Sequence, residues 1–344
     1  MKAWRVHRAG RPSYALQLDD IAKPEPGPGE VLVHTRAAAL NFNEIDGCHG
    51  RYATINPPLP YTLGMEVLGV VDAAGPDADA WLGRRVMATA KGAFGGYAEW
   101  VVAPVDMVFD APASLDDHEA AAFLFPFHLA WLGVHERGRV QPGEWVLVHA
   151  AAGGVGSAAV QLAAAAGARV IATAGGADKV ASCLEFGAEI AVDYRSEDFV
   201  AAVLDATGGN GVDLVFDGVG GETTVRSLQC MARNGRLMII GFASAIEAED
   251  EPTVTPRALC FGNVSIGGVL LSYRNDPSMT KRATGFNVVP RSVGDEIQRS
   301  LVSLLDAGKI RPIIGRTVDF ADLPAALDDM EDRKTIGRTV VVFS

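Results

Sequence analysis

The sequence predicts an α/β fold in which a doubly wound parallel sheet of the Rossmann type is inserted into a β-rich domain. The first observation is length, because 344 residues are about twice the size of a typical single domain. The second is that about the first hundred residues contain short β-branched runs separated by Pro and Gly clusters. The third is an alternation of strands with helix-length segments from about residue 120, which is typical of right-handed crossovers and a parallel sheet.

The β-rich region is indicated by apolar runs at 31–36, 67–72 and 97–102, together with the turn-forming cluster PEPGPGE at 24–30. A short β-branched run at 339–343 predicts a terminal strand that returns to this first domain. Before it, the spacing of apolar residues over 297–305 predicts one amphipathic helix.

The second region contains six predicted strands, the number expected of a Rossmann fold. Helix ends are marked where Gly167, Gly187 and Gly208 follow the last periodic residue, because a left-handed cap needs no Cβ. We therefore predict a β-rich domain at 1–120 plus 269–344 and a Rossmann domain at 121–268. The six strands are predicted at 145–149, 169–173, 190–193, 213–217, 236–240 and 264–267.

Charge and cysteine content exclude several classes of protein. The formal net charge of −12 makes nucleic acid and anionic membranes unlikely partners. The cysteines are too far apart in sequence for a disulfide framework or a paired zinc site. The N-terminal residues MKAWRVHRAG have no apolar run of a secretory signal, so we expect a cytoplasmic protein. The uncharged segment 146–168 contains a glycine break and is interpreted as a strand, a turn and a helix rather than a membrane span.

A candidate dinucleotide site follows the first strand of the second region. The segment HAAAGGVGSAAV places Gly153, Gly154, Val155 and Gly156 at the opening of a helix, with another strand about twenty residues further on. Glycines let the backbone turn sharply and approach a pyrophosphate, whose charge is stabilised by the free N–H groups of the helix start. The alternative is a tight strand-to-helix turn that binds nothing.

The end of the second strand indicates which dinucleotide is bound. It contains Thr173 and no carboxylate immediately after it, whereas Lys179, Tyr194 and Arg195 follow nearby. Because a carboxylate at this point would repel a 2′-phosphate and basic groups would bind one, NADPH is favoured over NADH. The alternative is that Lys179 and Arg195 are solvated surface charges.

Several motifs together resemble those of one family. The chain is similar to the medium-chain dehydrogenase/reductase superfamily, specifically to its zinc-independent, zeta-crystallin-like quinone oxidoreductases. The resemblance implies a GroES-like catalytic domain around the inserted Rossmann domain, an active site between them, and a homodimer. It also assigns Gly241 and Phe242 to the cofactor site. The motifs include LNFNEID at 40–46, GMEVLGVV at 64–71, GGYAEW at 95–100, VLVHAAAGGVGSAAVQLA at 146–163, DYRSED at 193–198 and NGRLMIIGFA at 234–243.

The resemblance also implies that no metal is bound. Zinc-dependent members have a Cys and a His ligand where this sequence has Asn41 and Met65, and the cysteines of a structural zinc lobe are missing. Cys48 and His49 are adjacent but lack evident partner ligands. Without a Lewis acid the substrate must already be electrophilic, so the resemblance implies reduction of a quinone or an α,β-unsaturated carbonyl.

Three residues are candidates for contact with the substrate. By family matching, Asn41 and Tyr52 could steady the substrate oxygen, and Tyr52 could also donate a proton or be a packing residue. His128 stands where the family commonly has a threonine near the nicotinamide, and its alternative role is a hydrogen bond within a helix start. Glu66 is interpreted as a structural carboxylate whose partner the sequence does not reveal.

Two other functions remain open. An enoyl-thioester reductase would need a basic groove, and the segment 272–291 with Arg274, Lys281, Arg282 and Arg291 is a candidate for it or an exposed loop. A non-catalytic NADPH-binding protein is the third possibility. The expected dimer would form through the last Rossmann strand, near 263–270.

Overall fold

The computed structural model describes residues 1–52, 57–244 and 254–343. The chain divides into two compact units. Unit 1 comprises Met1–Phe125, Ser272–Val302 and Pro312–Ser344, and unit 2 comprises Pro126–Leu271 and Ser303–Arg311.

Strands make up most of the regular structure of unit 1 and the central layer of unit 2. In chain order they are β1 (Lys2–Val6), β2 (Leu16–Asp20), β3 (Glu30–Ala39), β4 (Tyr61–Thr62), β5 (Glu66–Ala74), β6 (Arg85–Thr89), β7 (Trp100–Pro104), β8 (Val108–Asp110), β9 (Trp145–Val148), β10 (Arg169–Ala174), β11 (Ile190–Asp193), β12 (Val212–Asp217), β13 (Met231–Ile239), β14 (Ser265–Gly268), β15 (Tyr273–Arg274), β16 (Val289–Pro290), β17 (Ile314–Asp319) and β18 (Arg338–Val342).

The α-helices lie mainly between the strands of unit 2 and near the C-terminus. They are α1 (Pro12–Ala15), α2 (Phe42–His49), α3 (Asp117–Ala121), α4 (Leu124–Trp131), α5 (Gly154–Ala165), α6 (Ala177–Glu185), α7 (Phe199–Ala206), α8 (Glu222–Ser227), α9 (Pro256–Gly262), α10 (Pro277–Thr284), α11 (Arg291–Asp306) and α12 (Leu323–Glu331). A π-helical segment, Leu132–Arg137, continues α4 directly.

Unit 1 is built around β3, which pairs with β5, β7 and β18 in a seven-stranded sheet. Its core contains valines from four different strands, Val33, Val67, Val86 and Val101, all nearly inaccessible to solvent. The predicted terminal strand is present as β18 and pairs antiparallel with β3. A β-rich domain closed by the C-terminal segment is therefore the observed arrangement of unit 1.

One predicted strand of unit 1 begins later than expected. The apolar run at 97–102 forms ladder pairs only from Trp100, where β7 starts. The Tyr97 N–H instead donates to the Leu63 carbonyl at 2.9 Å, and Ala98 forms an isolated bridge with Ala3. Tyr97 and Ala98 are therefore bonded outside the β3 ladder.

Unit 2 contains a six-stranded sheet in the order β11-β10-β9-β12-β13-β14, and all its neighbouring strands are parallel. This is the strand order 3-2-1-4-5-6 of a doubly wound fold, so the predicted fold class is confirmed. The core of the sheet is lined by apolar side chains from five successive strands, Leu147, Ile171, Val192, Val215 and Leu237. Each is at most 1% exposed, as expected of strands covered on both faces.

All six predicted strands of unit 2 are present, with one marked difference in length. Strand β13 begins at Met231, five positions before the predicted start at 236, because Met231 already pairs with Val212 ahead of a register shift. The uncharged segment 146–168 forms β9, a turn and α5, as predicted. Among the described residues no helix is both long enough and apolar enough to cross a membrane.

Candidate functional site

The predicted cofactor residues of unit 2 come together at the carboxyl edge of its sheet. The glycine turn follows β9, Thr173 lies at the end of β10, Tyr194 follows β11, and Gly241 with Phe242 follows β13. The order of the sheet reverses between β9 and β12, and ligands of doubly wound folds bind at such a switch point. The topology thus places residues from four separate segments along the same edge of the sheet.

The glycine turn after β9 requires a close approach of two backbone segments. Ala150 adopts a left-handed conformation with φ 51°, and α5 begins directly beside it. A Cβ on Gly156 would lie 2.3 Å from the Ala150 carbonyl oxygen and 2.7 Å from Ala151 Cα, and one on Gly153 would lie 3.3 Å from the same oxygen. Only glycine fits at Gly156, so the turn and the helix start can pack in direct contact.

The first turn of α5 presents backbone donors. Within the described part of the chain, no side chain caps this helix, and the Ser157 N–H bonds to the Gly153 carbonyl at 2.8 Å. The N–H groups of Gly154, Val155 and Gly156 lie in the first turn of α5. The donors of a first turn have no carbonyl partner within their own helix. These donors and the positive end of the helix dipole form an anion site that suits a pyrophosphate.

A buried histidine beneath this turn was not singled out from the sequence. His149 is 2% exposed; its Nδ1 lies 2.9 Å from the Thr173 hydroxyl and its Nε2 2.8 Å from the Ser227 hydroxyl. Burial lowers the pKa of His149, so the neutral ring bridges β10 and α8. Thr173 is itself 2% exposed, and its hydroxyl is bonded to His149. The contact of Thr173 with the cofactor stays a prediction.

A second buried polar residue, Asp217, shapes the crevice from the end of β12. Its Oδ1 accepts hydrogen bonds from the N–H groups of Val219 at 2.8 Å and Gly220 at 3.1 Å, and its Oδ2 accepts from the Thr224 hydroxyl. The carboxylate therefore satisfies the donors of the turn that leads into α8. The sequence GVDLVFDGVGG at 211–221 contains Asp217, and an acidic group at the end of an apolar strand is the signal that the sequence offers for it.

The loop after β11 brings a carboxylate close to the end of β10. No carboxylate stands immediately after β10 in sequence, but Asp193 at the end of β11 reaches across, and its Oδ1 accepts from the Gly176 N–H at 2.9 Å. Tyr194 is 47% exposed, and its N–H donates to the Ala174 carbonyl at 3.1 Å. Lys179 lies in the first turn of α6. A carboxylate from the neighbouring strand therefore lies near the end of β10, because parallel pairing brings the ends of β10 and β11 side by side.

Gly241 and Phe242 lie where β13 meets the turn after β12. The Ala243 N–H donates to the Gly218 carbonyl at 3.2 Å, and the Ile240 N–H donates to the Asp217 carbonyl at 2.8 Å. A Cβ on Gly241 would lie 3.3 Å from the Gly218 oxygen, and the Phe242 ring is 46% exposed. An apolar ring thus stands open at the carboxyl edge of the sheet.

In unit 1, Asn41 belongs to a buried network of charged side chains. Its Oδ1 accepts from Arg338 Nη1 at 3.0 Å, and its Nδ2 donates to the Ala39 carbonyl at 3.3 Å. Arg338 also donates to Glu66, whose other oxygen accepts from the Phe125 N–H at 3.2 Å. Because the guanidinium of Arg338 has only donors, it fixes the orientation of the Asn41 amide with the amide oxygen toward Arg338. The structural partner of Glu66 that the sequence did not reveal is Arg338.

Glu44 is the second carboxylate of this network. It is 1% exposed and accepts from the Asn41 N–H at 2.8 Å, the Met65 N–H at 2.9 Å and the Tyr97 hydroxyl. Burial raises the pKa of Glu44 to about 7, against the opposing effect of its three donors and the Arg338 charge. Glu44 lies in the motif LNFNEID, whose residues alone do not indicate these three donors.

Tyr52 packs against α2, whose N-terminus follows Asn41. A Cβ on Gly47 would lie 2.8 Å from the Tyr52 hydroxyl, and the Tyr52 ring meets Phe94 edge-on with centroids 5.9 Å apart. Burial strongly raises the pKa of Tyr52, so the phenol stays protonated and can act as a hydrogen-bond donor. Asn41 and Tyr52 thus adjoin the same helix within one unit.

His128 lies in α4 and belongs to unit 2, whereas Asn41 and Tyr52 belong to unit 1. The imidazole of His128 is fully buried. Its contact with a substrate stays a prediction.

Across residues 1–52, 57–244 and 254–343, no group of three His, Cys, Asp or Glu side chains is arranged to hold a metal ion. Cys48 is fully buried, and desolvation raises the pKa of its thiol well above the usual range. A buried neutral thiol is a poor ligand.

Two family models match the chain. The alcohol dehydrogenase GroES-like domain matches residues 27–113, and the zinc-binding dehydrogenase domain matches residues 154–284. The first match lies within unit 1, and most of the second lies within unit 2.

Whole-chain relatives agree with these matches. The chain is 31% identical to the synaptic vesicle membrane protein VAT-1 homolog of Mus musculus, over 95% of this chain and 80% of that protein. It is 31% identical to the quinone oxidoreductase of Homo sapiens, over 92% of this chain and 89% of that protein. It is 30% identical to a 2-haloacrylate reductase of a Burkholderia species, over 98% of this chain and 97% of that protein.

Among solved structures, the Escherichia coli quinone oxidoreductase complexed with NADPH superposes with a TM-score of 0.86 at 29% identity, covering 99% of this chain and 100% of that one. The shared domains, their order and the full-length relatives agree with the motifs found in the sequence. The chain therefore belongs to the medium-chain dehydrogenase/reductase superfamily, in the branch that contains the quinone oxidoreductases.

Proposed function

We propose that this protein is an NADPH-dependent reductase that transfers hydride to a quinone or an α,β-unsaturated carbonyl without a metal. The observation that carries the proposal is the carboxyl edge of the unit 2 sheet, where a glycine turn and an uncapped helix start lie at the switch point and an open aromatic ring lies further along the same edge. The two relatives named as a quinone oxidoreductase and a haloacrylate reductase support the class of substrate.

Unit 2 offers groups for the pyrophosphate and for the 2′-phosphate of the dinucleotide. The N–H groups of Gly154, Val155 and Gly156 suit the pyrophosphate, because they are the free donors of a helix start. The tight turn that presents them depends on glycine, since a Cβ at position 156 would collide with the backbone of Ala150. Lys179 and Tyr194 are the groups proposed for the 2′-phosphate. The neighbour solved with NADPH supports this choice of cofactor.

Unit 1 offers donors for the substrate oxygen. When bound, the reduced nicotinamide supplies a hydride, which leaves negative charge on a quinone or enone oxygen. Arg338 engages the oxygen of the Asn41 amide, so that amide can turn only N–H toward a substrate. Tyr52 is kept protonated by burial and is the proposed second donor. Two such donors stabilise an enolate or phenolate.

The metal-free reaction is supported by the side chains that replace zinc ligands. The oxygen of the Asn41 amide, its only metal-ligating atom, accepts a hydrogen bond from Arg338, which leaves an N–H free of these two contacts. Met65 contributes its N–H to Glu44 and offers only a thioether as a side-chain ligand. We also propose a homodimer formed through β14, which lies at the end of the six-stranded sheet.

The test is oxidation of NADPH followed by its absorbance, with 1,4-benzoquinone, a simple enone and a crotonyl thioester as parallel acceptors. NADH, a zinc chelator and the Gly156→Val variant are the controls. We expect chelator-insensitive oxidation with the quinone or the enone, and loss of cofactor binding in the variant.

Two outcomes would replace the proposal. Turnover of the thioester alone would make the protein an enoyl-thioester reductase. Saturable binding of NADPH with no turnover of any acceptor would make it a non-catalytic dinucleotide-binding protein. Activity lost with the chelator and restored by zinc would contradict the metal-free mechanism.

A further inference from the structure

The loop after β11 places acidic groups beside the residues proposed to bind the 2′-phosphate. Asp193 Oδ1 accepts from the Gly176 N–H at 2.9 Å and from the Arg195 N–H at 3.0 Å. These bonds lower the pKa of Asp193, so the side chain is an ionised carboxylate at neutral pH. The Asp193 N–H in turn donates to Glu197 Oε1 at 3.1 Å, which adds a second carboxylate to the same loop.

Two other side chains of this loop fold back over the glycines that follow β10. A Cβ built on Gly175 would lie 2.6 Å from the Tyr194 hydroxyl and 2.9 Å from Arg195 Nε. A Cβ on Gly176 would lie 3.4 Å from Arg195 Nη1. The guanidinium of Arg195 and the carboxylate of Asp193 therefore flank the same pair of glycines.

These two charges favour different dinucleotides. In a Rossmann fold, a carboxylate near the end of the second strand accepts hydrogen bonds from the ribose hydroxyls of NADH and repels a 2′-phosphate. A guanidinium at the same place binds the phosphate. Here the carboxylate comes from the third strand, but its bond to the Gly176 N–H puts it at the end of the second.

We propose that Asp193 determines the dinucleotide specificity of this protein by opposing Arg195, so that NADH is bound as well as NADPH with only a modest preference. The inference rests on the proposed function, because it concerns the cofactor of that same site.

The test uses Asp193→Asn, which keeps an Oδ1 acceptor for both N–H bonds and removes only the charge. The matched control is Glu189→Gln, which removes one negative charge just before the opposite end of β11, where Glu189 pairs with Arg169. Dissociation constants of NADPH and NADH are measured by titration calorimetry. Adenosine 2′,5′-bisphosphate and AMP are titrated in parallel, because they isolate the 2′-phosphate.

We expect Asp193→Asn to raise the preference for NADPH over NADH about five- to tenfold. This factor corresponds to the Coulomb repulsion, in water, between one negative charge and a phosphate dianion roughly 7 Å away. The change should shrink at high salt, since exposed charges are screened. The bisphosphate should show the same gain over AMP. Arg195→Gln should lower the preference, and Glu189→Gln should leave it unchanged.

The outcomes separate the inference from the function on which it rests. If the wild-type protein binds NADPH and Asp193→Asn changes both affinities equally or not at all, Asp193 is a structural residue and the inference is wrong while the function stands. A wild-type preference so strong that NADH binding is undetectable would also overturn it. If the wild-type protein binds neither dinucleotide, the proposed function itself fails.

Discussion

Replacing Arg338 with methionine should destabilise unit 1 strongly. The guanidinium is 5% exposed and bonds both Glu66 and the Asn41 amide oxygen. After Arg338→Met, the Glu66 carboxylate, 1% exposed, keeps the Phe125 N–H as its hydrogen-bond donor, and an uncompensated buried charge results. Removing one partner of such a pair typically costs about 3–5 kcal/mol.

Equilibrium unfolding in urea measures this cost. With a urea dependence of about 2–3 kcal/mol per molar, the midpoint of the affected transition should fall by about 1–2.5 M. Because the chain has two compact units, the transitions should be followed with separate probes rather than fitted as one. NADPH binding serves as the probe for unit 2.

The double variant Arg338→Met, Glu66→Leu is the control, because it removes both charges. Replacement of a whole buried pair by apolar groups is often neutral, so this variant should recover most of the lost stability. A single-variant cost below about 1 kcal/mol would refute the reasoning, as would a double variant less stable than the single one.

Three further predictions concern the two candidate sites. The free energy of unfolding should fall by up to about 3 kcal/mol as the pH rises from about 4.5 to 7, because the folded state binds the Glu44 proton more tightly than the unfolded chain does. The Glu44→Gln variant should show a flatter dependence of stability on pH over this range. A dependence identical to that of the wild type would contradict the raised pKa. Gly156→Ala should weaken NADPH binding at least about tenfold and lower stability by about 1–3 kcal/mol, since its Cβ would lie 2.3 Å from the Ala150 oxygen. Titration calorimetry measures the affinity and urea unfolding measures the stability. A variant with normal affinity would show that the turn can relax. Tyr52→Phe should lower kcat about tenfold with NADPH affinity unchanged, measured by steady-state assay; equal kcat would make Tyr52 a packing residue.

Local patterns predicted the Rossmann part of the fold almost completely. Each of its strands is a short apolar run bounded by glycine or polar residues, and the glycine turn lies within a dozen residues of sequence. Strand ends were less certain: β13 starts early because Met231 pairs with Val212, which is a contact between distant segments. The run at 97–102 shows the same limit, because Tyr97 bonds Leu63 instead of a neighbouring strand.

The sequence by itself determined the fold class, the glycine turn for a dinucleotide and the family motifs, because these depend on residues close together in the chain. Only the tertiary structure showed that Asp193 reaches Gly176, that His149 bridges Thr173 and Ser227, and that Arg338 is the partner of Glu66. The physical reason is that a buried charge or polar group must find a partner, and that partner can come from any strand that the topology brings alongside.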